Sequence, residues 1–473
     1  MQKFDLIVIG GGSGLDVATS AAQHGLKVAI IERDRLGGTC LNKGCIPSKL
    51  LIHSADVIET IKHAAKFGIV VPEYRVEFRK IVQRVKGFTD HESDEIQNAF
   101  ADVKNPKLFT KECKFIGPKT LRLFGKDNDN DGDNDNDQDI LIGDKILIAA
   151  GSRPRIPRIE GLEETDYLTS DEALRLEQQP SILTIIGGGY VACEMAHFFG
   201  ALGTKINIVQ LNDVLLPNED EDISENFTKI FSKQYNVYLG YETKNVSELK
   251  DNTNKKFYVQ AKKNSESLEL VSDQLLIAAG RIPNSDILNL DMTGVEVDEK
   301  GNIKTNMYLE TNISGIFALG DVVGRYLFKH SANHEAKFAY NNIIHHDNKI
   351  PVDYTAMPHA IFTSPQIAGV GFTEQGLRNQ NQISYVKSSY PYINTAMGKA
   401  TDDQDGFVKF LVDKKSKKIL GCHIIGGHAS ILIHEVLVAM MSDNGKGTVD
   451  RIMETIHVHP ALSEVVARAA AEF

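Results

Sequence analysis

The stretches FDLIVIGGGSGLDVATSAAQHGLKVAIIE at residues 4–32 and ILTIIGGGYVACEMAHFFGALGTKINIVQ at residues 182–210 share one layout. Each opens on a short apolar run, turns on clustered glycines, continues through a helical stretch and closes on a second apolar run. In a parallel βαβ unit this order sets the glycine turn at the carboxyl end of the first strand and points the helix N-terminus at a pyrophosphate. Small residues are required there because backbone N–H groups must approach the phosphates closely. The second turn fits GxGxxA with Gly187, Gly189 and Ala192. The first keeps Gly10, Gly12 and Gly14, but Leu15 stands where the third small residue is expected. Glu32 follows Gly12 by twenty residues at a strand end, where a carboxylate accepts hydrogen bonds from an adenosine ribose. The equivalent second position is Gln210, with no Arg or Lys in the next several residues. Glycine turns of purely structural use would not require strand, turn and helix to recur together. Two dinucleotide sites are therefore expected on an α/β fold.

Around these units, 473 residues at about 150 per domain make room for roughly three domains. A composition of 42% hydrophobic and 24% charged residues excludes a chain that is disordered or collagenous throughout. Formal charge is −11, from 52 basic and 63 acidic side chains, which argues against binding nucleic acid or an anionic membrane through its whole surface. Seven of the aspartates lie in residues 127–139, so the rest of the chain carries only −4 (−11 + 7). No run approaches the ~18 apolar residues of a membrane span, and the chain enters its first strand without a signal-peptide layout. A soluble cytoplasmic protein is the expectation, with small molecules or proteins as partners. From about Pro351 the texture changes to strands and mixed segments without a glycine turn, as in an α+β domain used for assembly.

Between the two units lies KDNDNDGDNDNDQD, residues 126–139, flanked by the apolar runs TLRLF and DILIGDKILIAA. Asp127, Asp129, Asp131 and Gly132 have the spacing of an EF-hand loop, but the twelfth position is Gln138 and both flanks read as strands. A solvated insertion on a hairpin is the expected reading.

GGTCLNKGCIPSK, residues 37–49, places Cys40 and Cys45 just after the first unit. A zinc site would need two more ligands, and Cys113, Cys193 and Cys422 form no second pair. A static disulfide is disfavoured by cytosolic redox poise, and inert buried thiols need no glycine-rich setting. A redox-active dithiol cycling against a flavin fits best. The histidines at 330, 334, 423, 428 and 434 are scattered without metal-ligand spacing, and no metal site is expected.

GGTCLNKGCIPSK, the two glycine turns, TNISGIFALGDV at 311–322 and HPALSE at 459–464 occur in colinear order. Together they resemble the class I pyridine nucleotide-disulfide oxidoreductases, from residue 4 to about 470. The resemblance implies an FAD-binding domain over 1–150, an NAD(P)-binding domain over 151–281, a return to the FAD domain over 282–350 and a dimerisation domain over 351–473. FAD is then held by the first turn, Glu32, Gly151 and Asp321, and NAD(H) or NADP(H) by Gly187, Gly189, Gln210 and Gly280. Tyr190 matches a position that can cover the nicotinamide pocket. Cys45 is implied as the charge-transfer thiol against the flavin, Cys40 as the interchange thiol that attacks the substrate disulfide, and Lys49 with Glu194 as an ion pair beside the ring. His459 and Glu464 are implied as the acid–base pair for the departing thiol, supplied to the disulfide of the other subunit across a cis His–Pro bond. That makes the enzyme a homodimer, with His457 outside the chemistry.

The ending AAAEF has no cysteine pair, unlike mercuric reductase and the large thioredoxin reductases, and the first-helix segment LDVATSAAQHG lacks the arginines by which glutathione reductase holds carboxylates. CIPSK and HVHPALSE look like dihydrolipoyl dehydrogenase. KHSANHEAKFAYNN (329–342), IFTSPQIAGVGFTE (361–374) and GCHIIGGHASILIHE (421–435) look at least as much like mycothione reductase. The expected activity is oxidation of dihydrolipoamide, free or on a lipoyl domain, with NAD+. The alternative is reduction of a low-molecular-weight disulfide, and a third reading is a redox-sensing flavoprotein. Gln210 replaces the Glu of NAD-preferring relatives without adding positive charge for a 2′-phosphate.

Overall fold

A computed structural model describes residues 1–125, 139–251, 254–380, 383–445 and 447–473. The EF-hand-like spacing at Asp127, Asp129, Asp131, Gly132 and Gln138 lies outside the described residues. The chain divides into two compact units: residues 1–48, 82–155 and 280–353, and residues 49–81, 156–279 and 354–473.

The first unit is built on a sheet that, among the described residues, has seven strands. Gln2–Ile9 lies between Val28–Ile31 and Ile140–Ile148 and runs parallel to both, with Leu6 opposite Val28 on one side and Lys145 on the other. Ile316–Ala318 adds in parallel to Ile140–Ile148, and Lys107–Phe109 to Val28–Ile31. Thr120–Phe124 pairs antiparallel with both Glu112–Gly117 and Ile140–Ile148, so the acidic insertion joins two strands that pair with each other. A parallel sheet covered on both faces needs strands that are apolar on both sides, and Gln2–Ile9 meets this. Leu6 and Val8 pack with Val17, Ala18 and Ala21 of the helix Gly14–Gln23 and with Ala332, Ala336 and Ala339 of the helix Lys329–Ile344. Ile7 and Ile9 face Phe115, Leu121 and Ile303 on the other side. Each such fully buried side chain contributes roughly 1.5–3 kcal/mol of transfer free energy.

Leu15 is not the deviation that the motif suggests. A Cβ on Gly14 would lie 2.8 Å from Val8 Cγ1 and 3.2 Å from the Ala149 Cβ, so Gly14 is the residue that lets the first helix close on its strand. Leu15 turns toward the same cluster as a partly buried side chain.

Among the described residues the second unit holds three further sheets. A parallel sheet runs in the order Asn236–Leu239, Lys205–Gln210, Ile182–Ile186, Gln274–Ile277, with the helix Tyr190–Ala201 following the second glycine turn. A three-stranded antiparallel sheet spans Glu242–Asp251, Asn254–Lys263 and Glu266–Ser272. A five-stranded antiparallel sheet runs Pro358–Ile361, Gln366–Gly371, Ile419–Gly426, Phe407–Asp413, Tyr385–Pro391. The helix Ala429–Gly445 covers it through Leu432, Ile433 and Val436. Two glycine-turn units and an α+β region are the architecture expected from the sequence.

Candidate active site

The two glycine turns are built alike. Gly10 and Gly187 have φ of 111° and 116°, and a Cβ on either would stand 2.2 Å from the Ala149 carbonyl oxygen or 2.3 Å from that of Ala278. Only glycine admits this backbone and this approach. In the first turn the Glu32 carboxylate accepts from the Gly11 N–H at 2.6 Å and from the Asp34 N–H at 2.7 Å, which fixes it at the mouth of the turn. A cavity of about 680 Å³ opens there, lined by Gly10, Glu32, Cys113, Ala150, Asn284 and Asp286 among others. Burial, with Glu112 and Glu32 nearby, pushes the Cys113 thiol up to about 12, so Cys113 stays a neutral wall of that cavity at physiological pH.

Asp321 lies in the short helix Gly320–Val322 and accepts from Ser152 Oγ at 2.6 Å. Arg281 holds Ser152 in turn, through its hydroxyl at 2.8 Å and its carbonyl at 2.7 Å. Gly151 and Gly280 each take a positive φ where Ser152–Pro154 and Arg281–Pro283 pair as a two-stranded ribbon. Ser152 and Arg281 escaped the sequence reading, although AAGSRP at 149–154 and AAGRIP at 278–283 repeat one another and mark the place.

Cys40 lies in the helix Gly38–Lys43, and Cys45 is the first residue of the helix Cys45–His63. Both are in the thiol form, Cys40 partly buried and Cys45 exposed. Asn42 braces the turn by donating to the carbonyls of Leu36 at 3.0 Å and Gly38 at 3.1 Å. A hydrogen bond to Cys45, then burial, then the charge on Cys45 all push the Cys40 thiol up. The Lys329 ammonium and the Ile46 N–H act on Cys40 in the opposite sense. Lys329 donates to Ser13 Oγ at 2.8 Å, and Ser13 donates to Asn333 Oδ1 at 2.9 Å, joining the first glycine turn to the helix Lys329–Ile344.

In the second unit, Lys49 Nζ donates to both carboxylate oxygens of Glu194, at 2.8 and 2.7 Å, and sits 4.8 Å above the Phe362 ring. Glu194 is buried and also accepts from the Phe362 N–H at 3.0 Å, so this is a positioned pair and not a loose surface bridge. No Cβ at Gly189 would meet anything within 4 Å, which leaves the second turn open next to Tyr190. Gln210 occupies the place that Glu32 has in the first unit, close beneath the middle glycine, Gly188. Its amide donates to Asn212 Oδ1 and to the Val214 carbonyl, both at 3.3 Å, and its Oε1 accepts from the Leu211 N–H at 3.1 Å, so it serves its own loop.

His459 Nδ1 pairs with Glu464 Oε1 at 3.0 Å, and the Ala461 N–H donates to the other carboxylate oxygen at 3.2 Å. The bond to His459, followed by that from Ala461, holds Glu464 below the ordinary carboxylate range. An ionised carboxylate can only accept, so Nδ1 carries the proton and Nε2 is left to exchange one. The imidazole is 74% exposed, and the His459–Pro460 bond is cis. His457 is occupied by Glu435 and the Thr455 carbonyl. Among the described residues no group of three or more His, Cys, Asp or Glu side chains is gathered to hold a metal ion.

Residues 4–341 match the family model described as pyridine nucleotide-disulphide oxidoreductase, and residues 357–470 match the dimerisation domain of that family. The chain belongs to the class I pyridine nucleotide-disulfide oxidoreductases. It is 34% identical over 473 residues to dihydrolipoyl dehydrogenase of Bacillus subtilis (strain 168), covering 99% of this chain and 97% of the relative. It is also 34% identical over 474 residues to mycothione reductase of Mycobacterium tuberculosis, covering 99% of each. Among solved structures it is similar to the HOCl-induced flavoprotein disulfide reductase RclA from Escherichia coli in its Cu(II) complex, with a TM-score of 0.84, 25% identity and full coverage of both chains. As a member of this family it is an FAD-dependent, NAD(P)-linked disulfide oxidoreductase with a dimerisation domain. The residues in place fit the flavin nucleotide: a glycine cradle without room for a Cβ at Gly10, an acceptor at Glu32 and a second, Arg281-braced acceptor at Asp321. No described helix is long and apolar enough to cross a membrane.

Proposed function

We propose that the protein is a dihydrolipoyl dehydrogenase-type enzyme of the cytoplasm, in which a dithiol substrate is oxidised to its disulfide while NAD+ is reduced to NADH and a proton is released. The observation that carries this reading is the hydrogen-bonded Cys40–Cys45 thiol pair in the same unit as the Glu32 cradle. FAD, when bound, accepts the electron pair of the dithiol and passes it to nicotinamide. The chain's own residues handle sulfur and protons. A substrate thiolate attacks Cys40 of the Cys40–Cys45 disulfide and Cys45 departs as thiolate; the second substrate thiol then displaces Cys40, leaving the substrate disulfide and a reduced cysteine pair that recloses when it gives up its electron pair. His459, oriented by Glu464, takes up and returns the proton of the substrate thiol. Lys49 and Glu194 serve the flavin ring, and Tyr190 covers the nicotinamide pocket until the nucleotide enters. Residues 1–150 and 282–350 bind FAD, residues 151–281 bind the pyridine nucleotide, and residues 351–473 form a homodimer in which His459 of the partner subunit completes each site.

A second reading, reduction of a low-molecular-weight disulfide by NAD(P)H, is supported by residues 329–342 and by an identity to mycothione reductase equal to that with dihydrolipoyl dehydrogenase. A redox sensor is disfavoured by the exposed His459–Glu464 pair, which only turnover needs. Steady-state assays of the purified holoenzyme with lipoamide, dihydrolipoamide and mycothiol disulfide, each with both nucleotides, separate the readings. Turnover of dihydrolipoamide with NAD+ is expected, and none with either nucleotide sinks the first reading. His459→Ala is expected to lower disulfide turnover by about 10²–10⁴-fold with FAD content unchanged. Unchanged turnover removes His459 from the mechanism.

A further inference from the structure

Tyr190 is the first residue of the helix Tyr190–Ala201 and borders the open side of the second glycine turn. Its phenol donates a hydrogen bond to Glu219 Oε1. The other oxygen of that carboxylate, Oε2, is 2.7 Å from His359 Nε2. Glu219 is only 1% exposed, so its carboxylate has no water to fall back on. Burial works against its charge, but His359 and then the Tyr190 hydroxyl outweigh this and hold Glu219 below its ordinary range. An ionised Glu219 accepts only, so the proton of His359 lies on Nε2 and both oxygens are bridged. The Tyr190 and His359 rings lie parallel within 9°, with centroids 6.3 Å apart.

The carboxylate is also held from behind. The Glu219 carbonyl accepts from Gln375 Nε2 at 2.7 Å, and the Glu219 N–H donates to the Leu216 carbonyl at 3.0 Å. The next residue, Asp220, accepts from Lys409 Nζ at 2.7 Å and from the Glu374 N–H at 2.8 Å. Glu219 therefore cannot follow the phenol if the ring swings away.

We propose that Glu219, bridged by His359, is a positioning residue that latches Tyr190 shut over the nicotinamide pocket and so sets the affinity for the pyridine nucleotide. The proposal rests on the reading that Tyr190 covers that pocket. Entry of the nucleotide requires the phenol to leave a buried, charged acceptor. A pocket that is open only a fraction of the time shows an apparent affinity reduced by that fraction. A hydrogen bond to a charged acceptor is about twice as strong as one to a neutral acceptor. The isosteric, neutral Glu219→Gln variant keeps the shape and weakens the latch, and Tyr190→Phe removes it.

The test is the dissociation constant of the oxidised holoenzyme for NAD+ and for NADP+, titrated through the flavin absorbance, in Glu219→Gln, Tyr190→Phe and the double variant. Glu219→Gln is expected to tighten binding by about threefold and Tyr190→Phe by about tenfold. The double variant is expected to match Tyr190→Phe within about twofold, because both act through one bond. Tightening by Tyr190→Phe with no change, or weaker binding, in Glu219→Gln overturns the latch and leaves the covering role of Tyr190 standing. No change in any variant overturns the latch, while the ring that Tyr190→Phe retains leaves the covering role of Tyr190 standing. Full additivity in the double variant makes Glu219 a merely structural neighbour. An independent reading uses wild-type protein labelled with ¹³C at tyrosine Cζ, the Tyr190 resonance being assigned by its loss in Tyr190→Phe. Saturation with NAD+ is expected to shift that resonance as the bond to Glu219 breaks, and a resonance that stays in place overturns the proposal.

Discussion

Cys40 shows how far a single residue's chemistry depends on neighbours that its motif does not contain. Its spacing from Cys45 could be read directly, but the proton balance of the pair could not. The bond to Cys45, burial and the charge on Cys45 favour the neutral thiol, while Lys329, 289 positions further along the chain, favours the thiolate. Attack on a disulfide needs the thiolate. Replacing Lys329 with Met removes that positive neighbour and keeps the length of the side chain, so the Cys40 thiol moves further up and its thiolate fraction at a given pH falls. Alkylation of Cys40 by iodoacetamide at pH 8 in the reduced holoenzyme, followed by peptide mass spectrometry, is expected to slow about three- to tenfold. Cys45 in the same digest reports whether the effect is local. An unchanged Cys40 rate would show that Lys329 acts only on Ser13. The same reasoning explains Leu15: the sequence position points to a broken motif, whereas Gly14 supplies the close approach to Val8 that the motif exists to allow.

Between elements, one buried tie of the second unit is announced by no periodicity. Lys409, on the strand Phe407–Asp413, is 1% exposed, and its ammonium donates to Asp220 at 2.7 Å, Asp222 at 2.6 Å and Glu374 at 2.7 Å. It thereby binds the start of the helix Glu221–Gln234 and the helix Glu374–Asn379 to the five-stranded sheet. Lys409→Met leaves Asp220, Asp222 and Glu374 facing one another with only Lys387, on Glu374, as a cation, and removing one partner of a buried ion cluster costs about 3–5 kcal/mol. Denaturant unfolding at pH 7 is expected to show that loss. The pH dependence gives the prediction a sign. Burial opposes the charge of Glu374, but hydrogen bonds from Lys409 and Lys387 outweigh it and leave this carboxyl at about 2, against an ordinary 4.5. Its contribution to wild-type stability is therefore complete above about pH 4.5 and is lost as the pH falls toward 2. In Lys409→Met the carboxyls take up protons at higher pH, so the gap between wild type and variant narrows from pH 7 to pH 4. A gap that stays constant over that range would mean that the cost is packing and not charge. In the sequence Lys409 is one basic residue in an alternating strand, VKFLV, where a lysine belongs on the solvent face. Only the fold supplies its three acceptors.

Across the whole molecule, what could be read in the sequence follows from how locally each feature is encoded. Glycine turns, strand ends and the cysteine spacing are local: Gly10 and Gly187 press against the Ala149 and Ala278 carbonyls, the Glu32 carboxylate accepts from the Gly11 N–H, and Cys40 lies beside Cys45. The braces depend on long-range contact and could not be read: Arg281 to Ser152 spans 129 positions, and His359 to Glu219 spans 140. Longest of all in reach is the proposed completion of each disulfide site by His459 of the partner subunit, and it can be tested without a structure of the dimer. Two inactive chains, one carrying Cys40→Ser and the other His459→Ala, are co-expressed with different tags, and the mixed dimer is isolated by sequential capture. If each site combines the thiols of one subunit with the His459–Glu464 pair of the other, one of the two sites in the mixed dimer unites two intact halves and the other two damaged ones. The isolated mixed dimer then turns over at about half the wild-type rate, and an unfractionated random mixture at about a quarter. If thiols and dyad worked within a single subunit, every site in the mixed dimer would carry one lesion and no activity would return. Recovery to about half therefore requires an exchange of side chains between subunits, and a dead mixed dimer with full FAD content would assign the whole site to one chain.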